Sequence, residues 1–305
     1  MLFWQHNLII SSSAPDTTAK AITGHKDSVT YVAFCKGDKY FVTADMGGFI
    51  QVFETETFTK VWEFEVGDVN WVKWHPVVPI LLAGTVEGAV WMWKVPSFET
   101  KTIMLSGAPT TSAAFMSTNR HIAVAYENGS IKVIDLKSGE SEINIEVRTE
   151  ITSISRAPDD KILVTGSVDS TINMIAAQTG KVICCLGSAD KKEDNSIEDI
   201  MFHPTRPIVA TACLNNKVCL WDTMHQKLRQ SLDHPQGVNK IVWAGDRDSL
   251  VTSCLDGIIR VWDVDKNEVL AEVTGHSAEI LDMKISSNYV ITSSEDGTAK
   301  IFTIS

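Results

Sequence analysis

The residues that most often carry chemistry are spread thinly over this chain and match no catalytic or metal-binding pattern. Its 305 residues include eight histidines and six cysteines. The sequence contains no His-Glu-x-x-His pair, no Cys-x-x-Cys pair, no Gly-x-Ser-x-Gly turn and no Gly-x-x-x-x-Gly-Lys loop. Zinc-assisted hydrolysis, acyl transfer and phosphoryl transfer are therefore not indicated. We predict a non-enzymatic protein without a metal or a cofactor.

The cysteines and the start of the chain indicate where the protein resides. Most of the cysteines lie in apolar stretches typical of strands, which predicts buried free thiols in a reducing compartment. The first residues lack the basic segment of a signal peptide, and polar residues interrupt their apolar run. No apolar run approaches the length of a membrane span, so no membrane insertion is expected. The sequence predicts a cytoplasmic protein, with the nucleus as the alternative.

A short turn followed by an alternating apolar strand recurs seven times. Each copy begins with an acidic residue or asparagine, and successive copies lie 40 to 46 residues apart. Their first residues are Asp45, Glu87, Glu127, Asp169, Asn215, Asp256 and Asp296. A period near 40 residues with a strand after each turn is typical of propeller blades. An array of this kind favours a binding platform over an enzyme.

One repeat, residues 234–263 and the strand that follows, shows the expected blade. Val238, Ile241 and Trp243 lie on a first strand, and 250–254 form a second. Asp256-Gly257 makes a tight turn into the third strand, and 270–273 form a fourth. We therefore predict an all-β propeller of seven four-stranded blades.

The two chain ends are expected to share the last blade. Residues 280–304 supply three strands, and the segment 17–22 lies where a fourth strand precedes each of the other repeats. Pairing these segments would cover an exposed sheet edge. We interpret residues 17–305 as one propeller domain and residues 1–16 as a flexible segment or the stub of an upstream repeat. The alternative is an eight-bladed ring with an incomplete first blade.

Several dipeptides resemble those of WD-repeat proteins. Gly-His pairs end at His25 and His276, and Trp-Asp pairs begin at Trp221 and Trp262. In that family a hydrogen-bonded chain of His, Ser or Thr, Asp and Trp locks each blade. The resemblance implies such a locking role for Trp221, Asp256 and Trp262, for His25, Thr43 and Asp45 in the first repeat, and for His276, Ser294 and Asp296 in the last.

Longer segments resemble the angio-associated migratory cell protein family. They include GHKDSVT from Gly24, WHPVVPILLAGTVEG from Trp74, WMWKVP from Trp91 and GHSAEILD from Gly275. Members normally carry an acidic N-terminal tail and one more repeat, so the chain resembles an N-terminally shortened member. The fungal counterpart in that family is a chaperone of a basic ribosomal protein of the large subunit, and the resemblance implies a related role here. A signalling or cell-migration scaffold and a ubiquitin-ligase substrate receptor are the alternatives.

One face of the ring is the candidate binding surface. In WD-repeat proteins the residue before each turn acid lies on the top face, and here most of these residues are apolar: Ala44, Val86, Tyr126, Val168, Leu214, Leu255 and Glu295. The loops leading into the first strands add carboxylates at Asp27, Asp68, Glu150, Glu198 and Glu279, interrupted by Lys26 and Arg148. An apolar centre with an acidic surround suits a basic peptide.

Overall charge agrees with a protein partner. The chain has 38 acidic and 27 basic residues, a net charge of −11, which argues against direct nucleic-acid binding. We predict a monomer whose partner is a basic segment, such as that of a ribosomal protein. Trp71 occupies a variable slot of the first strand; core packing is the favoured interpretation, and contact with the channel or a ligand is the alternative.

Overall fold

Each sequence repeat folds into a four-stranded antiparallel sheet. The computed structural model describes residues 20–186, 195–244, 249–286 and 288–303, and within them seven such sheets form a ring. The sheets are the blades, numbered 1 to 7 from the first complete repeat. This confirms the predicted seven-bladed propeller, and the eight-bladed alternative is not needed.

Blades 1 to 4 each run from an innermost first strand to an outermost fourth strand. Their strands are β2 (Val29–Phe34), β3 (Tyr40–Asp45), β4 (Phe49–Glu54) and β5 (Lys60–Glu65); β6 (Val69–Trp74), β7 (Ile80–Thr85), β8 (Ala89–Lys94) and β9 (Glu99–Leu105); β10 (Thr110–Phe115), β11 (His121–Tyr126), β12 (Ser130–Asp135) and β13 (Ser141–Glu146); β14 (Ile151–Arg156), β15 (Ile162–Ser167), β16 (Ile172–Ala176) and β17 (Val182–Leu186).

Blades 5 and 6 repeat this order, and blade 7 is completed from the other end of the chain. Their strands are β18 (Ile197–Phe202), β19 (Ile208–Cys213), β20 (Lys217–Asp222) and β21 (Lys227–Asp233); β22 (Val238–Trp243), β23 (Ser249–Cys254), β24 (Ile258–Asp263) and β25 (Glu268–Thr274); β26 (Ile280–Ile285), β27 (Tyr289–Ser294), β28 (Ala299–Thr303) and β1 (Lys20–Ile22). One 3₁₀ turn, Lys36–Asp38, is the only helical element in the described ranges.

The ring closes where β1 pairs antiparallel with β28. Lys20 lies opposite Ile301, and Ile22 lies opposite Ala299. Ile22 is buried among side chains of blades 7 and 1, so this strand covers the edge of the last blade and also contributes to the core. Residues 17–19 of the predicted closing strand, and the proposed boundary after residue 16, lie outside the described residues.

The core lies between neighbouring blades, as stacked sheets require. The second strands are almost wholly buried, whereas an outermost strand such as β5 is mainly exposed. Trp74 and Trp243 pack at such boundaries, and each indole N–H donates to a carbonyl of the preceding blade, that of Ala33 (3.2 Å) and Met201 (3.4 Å) respectively. Blades 2 and 6 are therefore each tied to the blade before them. In the described part of the chain, no helix is long and apolar enough to cross a bilayer.

Candidate functional site

A hydrogen-bonded chain ties the loop before blade 1 to its second strand. His25 Nδ1 lies 3.1 Å from Asp45 Oδ2, and His25 Nε2 lies 2.7 Å from Thr43 Oγ1. A carboxylate can only accept, so Nδ1 carries the proton and Nε2 accepts from the threonine hydroxyl. Asp45 Oδ1 also accepts the backbone N–H of Phe49, at 2.9 Å. The three residues act together to hold the turn and the incoming loop at one end of the blade.

Blade 7 has the same chain with one different member. His276 Nδ1 lies 2.9 Å from Asp296 Oδ2, but His276 Nε2 meets Thr292 Oγ1 at 2.8 Å. Ser294, the predicted member, instead accepts the backbone N–H of Asp296 at 3.2 Å. The prediction was wrong because Asp45 ends its strand, whereas Asp296 lies in the turn two residues beyond the strand end at Ser294. The strand position that Thr43 holds in blade 1 is therefore held in blade 7 by Thr292, four residues before Asp296.

Blade 6 contains a locking chain of which only Trp262 was predicted from the sequence. His234 Nε2 lies 2.9 Å from Thr252 Oγ1, and the Trp262 indole N–H donates to the same oxygen at 3.2 Å. His234 Nδ1 faces the Leu232 carbonyl at 3.2 Å in place of an aspartate. The missed signal was the spacing of 18 residues from histidine to threonine, which His25 and Thr43 share.

The other two predicted locking residues have different partners. In blade 5 the Trp221 indole N–H donates to Thr211 Oγ1 at 3.2 Å. Asp256 does not bond a histidine: its Oδ2 accepts from Arg260 Nη2 at 2.7 Å and its Oδ1 from the Ile258 N–H at 3.0 Å. Burial acts to raise the pKa of Asp256, but the hydrogen bonds from Arg260, the Ile258 N–H and Cys254, together with the charge of Arg260, outweigh it and the pKa is lowered.

The face at this end of the ring is built from two loops in each blade. The residue after each second strand donates its backbone N–H to a carbonyl in the loop before the first strand, over 2.9 to 3.2 Å. We call these seven residues the rim: Met46, Val86, Glu127, Val168, Leu214, Leu255 and Glu295. The repeated bond fixes each rim residue beside its incoming loop, so side chains from both loops form one surface.

Two of the predicted face residues are not on this surface. Ala44 and Tyr126 are 0% exposed, each within or at the end of a second strand. Asp45 ends β3 and Glu127 follows β11 directly, so neither acid occupies the turn position of Glu87. Counting from the acid therefore displaced both predictions, and Met46 and Glu127 hold the corresponding rim positions.

The corrected rim has five apolar residues instead of the predicted six, because Glu127 takes the place of Tyr126 and Met46 that of Ala44. Met46 is 57% exposed and Val168 is 45% exposed, and Val86 and Leu214 are also exposed large apolar side chains. Leu255 is half-buried, and Glu127 and Glu295 are exposed. The apolar residues form one arc over blades 1 and 2 and a second arc over blades 4, 5 and 6, since a glutamate separates them at blades 3 and 7.

Carboxylates surround these arcs. Asp27, Asp68 and Glu150 are exposed on the incoming loops, and Glu279 is half-exposed there. Glu198, predicted on a loop, is instead half-exposed as the second residue of β18. Within the described residues, neither these five nor the two rim glutamates pair with a lysine or arginine. Lys26 and Arg148 are exposed on the same loops, so the field is predominantly but not uniformly negative. The face thus offers apolar contact and unneutralised negative charge together.

Trp71 lies in the wall of the central channel and also in the core. The third residue of every first strand lines this channel: Tyr31, Trp71, Ser112, Ser153, Asp199, Lys240 and Asp282. Trp71 is nevertheless 4% exposed and packs with blades 2 and 3. Its indole nitrogen is buried without a hydrogen-bond partner in the described residues. Trp71 therefore packs in the core and also lines the channel.

One cluster has the composition of a metal site. His121, Asp135 and Glu142 each place a ligand atom within 4.8 Å of the others. Arg120 already binds Asp135, donating through Nε at 2.6 Å and through Nη2. This hydrogen bond lowers the pKa of Asp135 to about 2. Because a guanidinium already neutralises the central carboxylate, the cluster is a side-chain ion-pair network on the outside of blade 3.

The repeats match a known family. Residues 15–54, 145–175, 180–222, 226–263 and 267–303 match the family described as WD domain, G-beta repeat. The ring of four-stranded blades and the His-Thr-Asp and Thr-Trp locks are the architecture expected of such repeats. The fold and the match together make the chain a WD-repeat propeller.

Comparison with individual proteins identifies the family within the WD-repeat class. The angio-associated migratory cell protein of Homo sapiens is 36% identical over 299 residues, which cover 92% of this chain and 69% of that protein. The protein of the same name from Canis lupus familiaris is also 36% identical, with 68% of it covered. The chain belongs to the angio-associated migratory cell protein family. The ribosome assembly protein SQT1 of Saccharomyces cerevisiae is 22% identical over 343 residues, covering 98% of this chain and 79% of that protein.

Proposed function

We propose that this propeller is a non-enzymatic binding protein whose rim captures a basic segment of a client protein. The observation that carries the proposal is the rim itself, where five of seven positions are apolar and the surrounding carboxylates make no ion pair with a lysine or arginine of the described residues. Apolar residues at the centre of an interface supply most of the affinity, and complementary charge at its edge speeds association and selects the partner.

The client we propose is a ribosomal protein, bound during assembly of the large subunit in the cytoplasm, with the nucleus as the alternative. Ribosomal proteins carry basic segments that must be shielded until they meet RNA, and an acidic, partly apolar face suits that task. The relative from Saccharomyces cerevisiae is named a ribosome assembly protein. A cell-migration scaffold is the second candidate, since the relatives at 36% identity are named migratory cell proteins.

The test begins with affinity capture from a lysate depleted of ribosomes, followed by mass spectrometry. The recovered protein is then titrated against the propeller at about 50 mM and about 200 mM salt, a range over which exposed charges become strongly screened. A basic client whose affinity falls with salt is expected. An acidic or neutral client, or affinity indifferent to salt, would remove the ribosomal reading and favour a scaffold.

Two sets of variants separate the roles of charge and apolar contact. Reversing Asp68, Glu150 and Glu198 to lysine should mainly slow association. The matched control reverses three exposed glutamates at or just before the start of a fourth strand, at the opposite end of the ring: Glu99, Glu140 and Glu268. Both triple variants change the net charge equally, so slower association in only the first places the negative field at the rim.

The apolar set is Leu214→Ser with Leu255→Ser, which should mainly speed dissociation. The control is Leu270→Ser, an exposed leucine on the outermost strand of blade 6. Each buried leucine side chain is worth about 1.5 to 3 kcal/mol, so the pair should raise the dissociation rate by at least roughly tenfold. If the rim variants and the controls bind alike and remain folded, the binding site lies off this face.

A further inference from the structure

The central channel carries a net positive charge, opposite in sign to the charge of the protein as a whole. It is a cavity of about 220 Å³ lined by residues of all seven first strands. Its walls carry Lys73, Arg156, Lys240 and Lys284 against two carboxylates, Asp199 and Asp282. A chain of net charge −11 thus surrounds a channel with an excess of cations. At about 30 Å³ per water molecule, the cavity has room for a hydrated small ion.

Most of these charges have protein partners. Asp282 accepts from Lys284 Nζ at 2.6 Å and from backbone N–H groups of Met283 and Val32. Asp199 accepts from Ser153 and from the N–H of Ile200 and Ile241. Lys240 lies on the blade between these two aspartates, and Arg156 pairs with Asp160 at 2.9 Å. The two carboxylates are therefore already shared among neighbouring donors.

Lys73 and Lys240 are the exceptions, since among the described residues neither ammonium makes a hydrogen bond or an ion pair. Lys240 lies on the blade between the two aspartates, whereas Lys73 lines the channel on blade 2 as the fifth residue of β6. The fifth residue on blade 1 is Ala33, a small side chain, and the fifth on blade 7 is Lys284. Two ammonium groups thus approach the same part of the cavity with only an alanine between their blades.

We propose that this part of the channel is a binding site for a small oxyanion, phosphate or carboxylate, held by Lys73 and Lys284. Lys73 has no acceptor among the described residues, and Lys284 donates only to Asp282 and to the Met283 carbonyl. An oxyanion between the two lysines would give Lys73 an acceptor and Lys284 a second anionic partner. Ser155, the fifth residue of β14, carries a hydroxyl on another wall of the same cavity. The site is distinct from the rim, and it does not depend on the proposed client.

The titration of Lys73 agrees with this geometry. Burial lowers the pKa of Lys73 to about 8, and the charges of Lys284 and Lys240 act in the same direction, whereas Asp199 and Asp282 oppose them. For Lys240 burial also acts downward, but the charges of Asp199 and Asp282, with smaller effects of Tyr31 and Glu198, together outweigh it and raise the pKa. The remaining groups facing the cavity are Tyr31 and Arg156. A bound oxyanion would raise the pKa of Lys73, which makes that pKa a direct reporter of occupancy.

The first experiment uses the unaltered protein. Trace acetic anhydride acetylates lysines in proportion to their neutral fraction, so mass spectrometry over pH 6 to 10 gives the pKa of Lys73 beside that of exposed Lys161. Inorganic phosphate or sodium acetate, against sodium chloride at equal ionic strength, should raise the pKa of Lys73 and leave Lys161 unchanged. A rise in the pKa of Lys73 with phosphate indicates that the ligand is free phosphate, and a rise with acetate alone indicates that the ligand is a carboxylate. No response to either overturns the proposal.

A variant supplies an independent readout. The melting temperature of the wild-type protein should rise with phosphate or acetate concentration, because a ligand that binds only the folded state stabilises it. Lys73→Met should weaken this response roughly tenfold or more, as expected for losing a charged hydrogen-bond donor. Lys94→Met, at an exposed lysine ending β8, should respond like the wild type. If Lys73→Met responds fully, the anion binds elsewhere and the proposed site is wrong.

Discussion

The buried imidazole of His234 is expected to make the propeller lose stability in mild acid, and replacing it by glutamine should remove that part of the loss. The side chain is 7% exposed and bridges Thr252 and the Leu232 carbonyl in its neutral form. Burial lowers the pKa of His234 to about 4 from an ordinary value of 6.5, and the charge of Arg260 acts in the same direction. The unfolded chain therefore takes up a proton at a higher pH than the folded ring.

The sign and size of the effect follow from this difference. Between about pH 6.5 and pH 4 the unfolded state binds more protons at this site, so the free energy of unfolding falls as the pH falls. At about 1.4 kcal/mol per pKa unit the limiting loss is about 3 kcal/mol, and about 1.4 kcal/mol of it should appear between pH 7.5 and pH 5.5. His25 and His276 contribute in the same direction, since burial lowers their pKa against the opposing effect of Asp45 and Asp296.

Denaturant unfolding followed by tryptophan fluorescence at pH 7.5 and pH 5.5 measures this loss. His234→Gln should be less stable than the wild type at pH 7.5, because it lacks the hydrogen bond to Thr252, but should lose about 1.4 kcal/mol less on acidification. Thr252→Val is the matched control: it removes the same hydrogen bond and leaves the imidazole buried, so it should keep the wild-type pH dependence. If His234→Gln and the wild type lose equal stability, the titration lies at other groups and the reasoning fails.

Two further substitutions test packing. Gly84→Ala places a methyl group against the Trp71 indole and the Thr110 hydroxyl, so the free energy of unfolding in the denaturant assay should fall by about 1 to 3 kcal/mol. The control is Gly47→Ala, in the turn after β3, where the added methyl group meets only Asp45 Oδ1 at 3.7 Å and stability should not change. Ile22→Ala removes the buried contact of the closing strand and should cost about 2 to 5 kcal/mol, while Ala21→Ser, at an exposed position of β1, should melt like the wild type; equal melting of both variants would show that β1 does not hold the ring closed.

The ring could be predicted from sequence because its period repeats seven times. The strand alternation, the turn residues and the empty fourth-strand position of blade 7 all depend on local pattern, and the structure pairs Lys20–Ile22 with β28 as expected. The rim could not be predicted position by position. Asp45 is the last residue of its second strand, whereas Asp296 lies two residues beyond the end of its second strand. Aligning the repeats by residue type therefore assigned Ala44, Tyr126 and Ser294 to positions that other residues occupy in the structure.

The charged groups of the channel were harder still to predict, because their interactions depend on which blades are neighbours in the ring. Asp199 and Asp282 are separated by 83 positions in the sequence, yet both raise the pKa of Lys240 on the blade between them. Lys73 and Lys284 come together only because the last blade closes against the first. A repeat pattern fixes each blade by itself, whereas these contacts are properties of the closed ring.

The two charged regions place different demands on a partner. The rim carries negative charge around apolar arcs and therefore favours a basic, amphipathic segment laid across the face. The channel beneath it carries excess positive charge, since Lys73 has no carboxylate of its own in the described structure. A basic segment would gain by lying over the rim and lose by entering the channel, where like charges would meet. The charge of the channel would therefore keep the proposed basic client at the surface, while the same charge favours the proposed small anion inside.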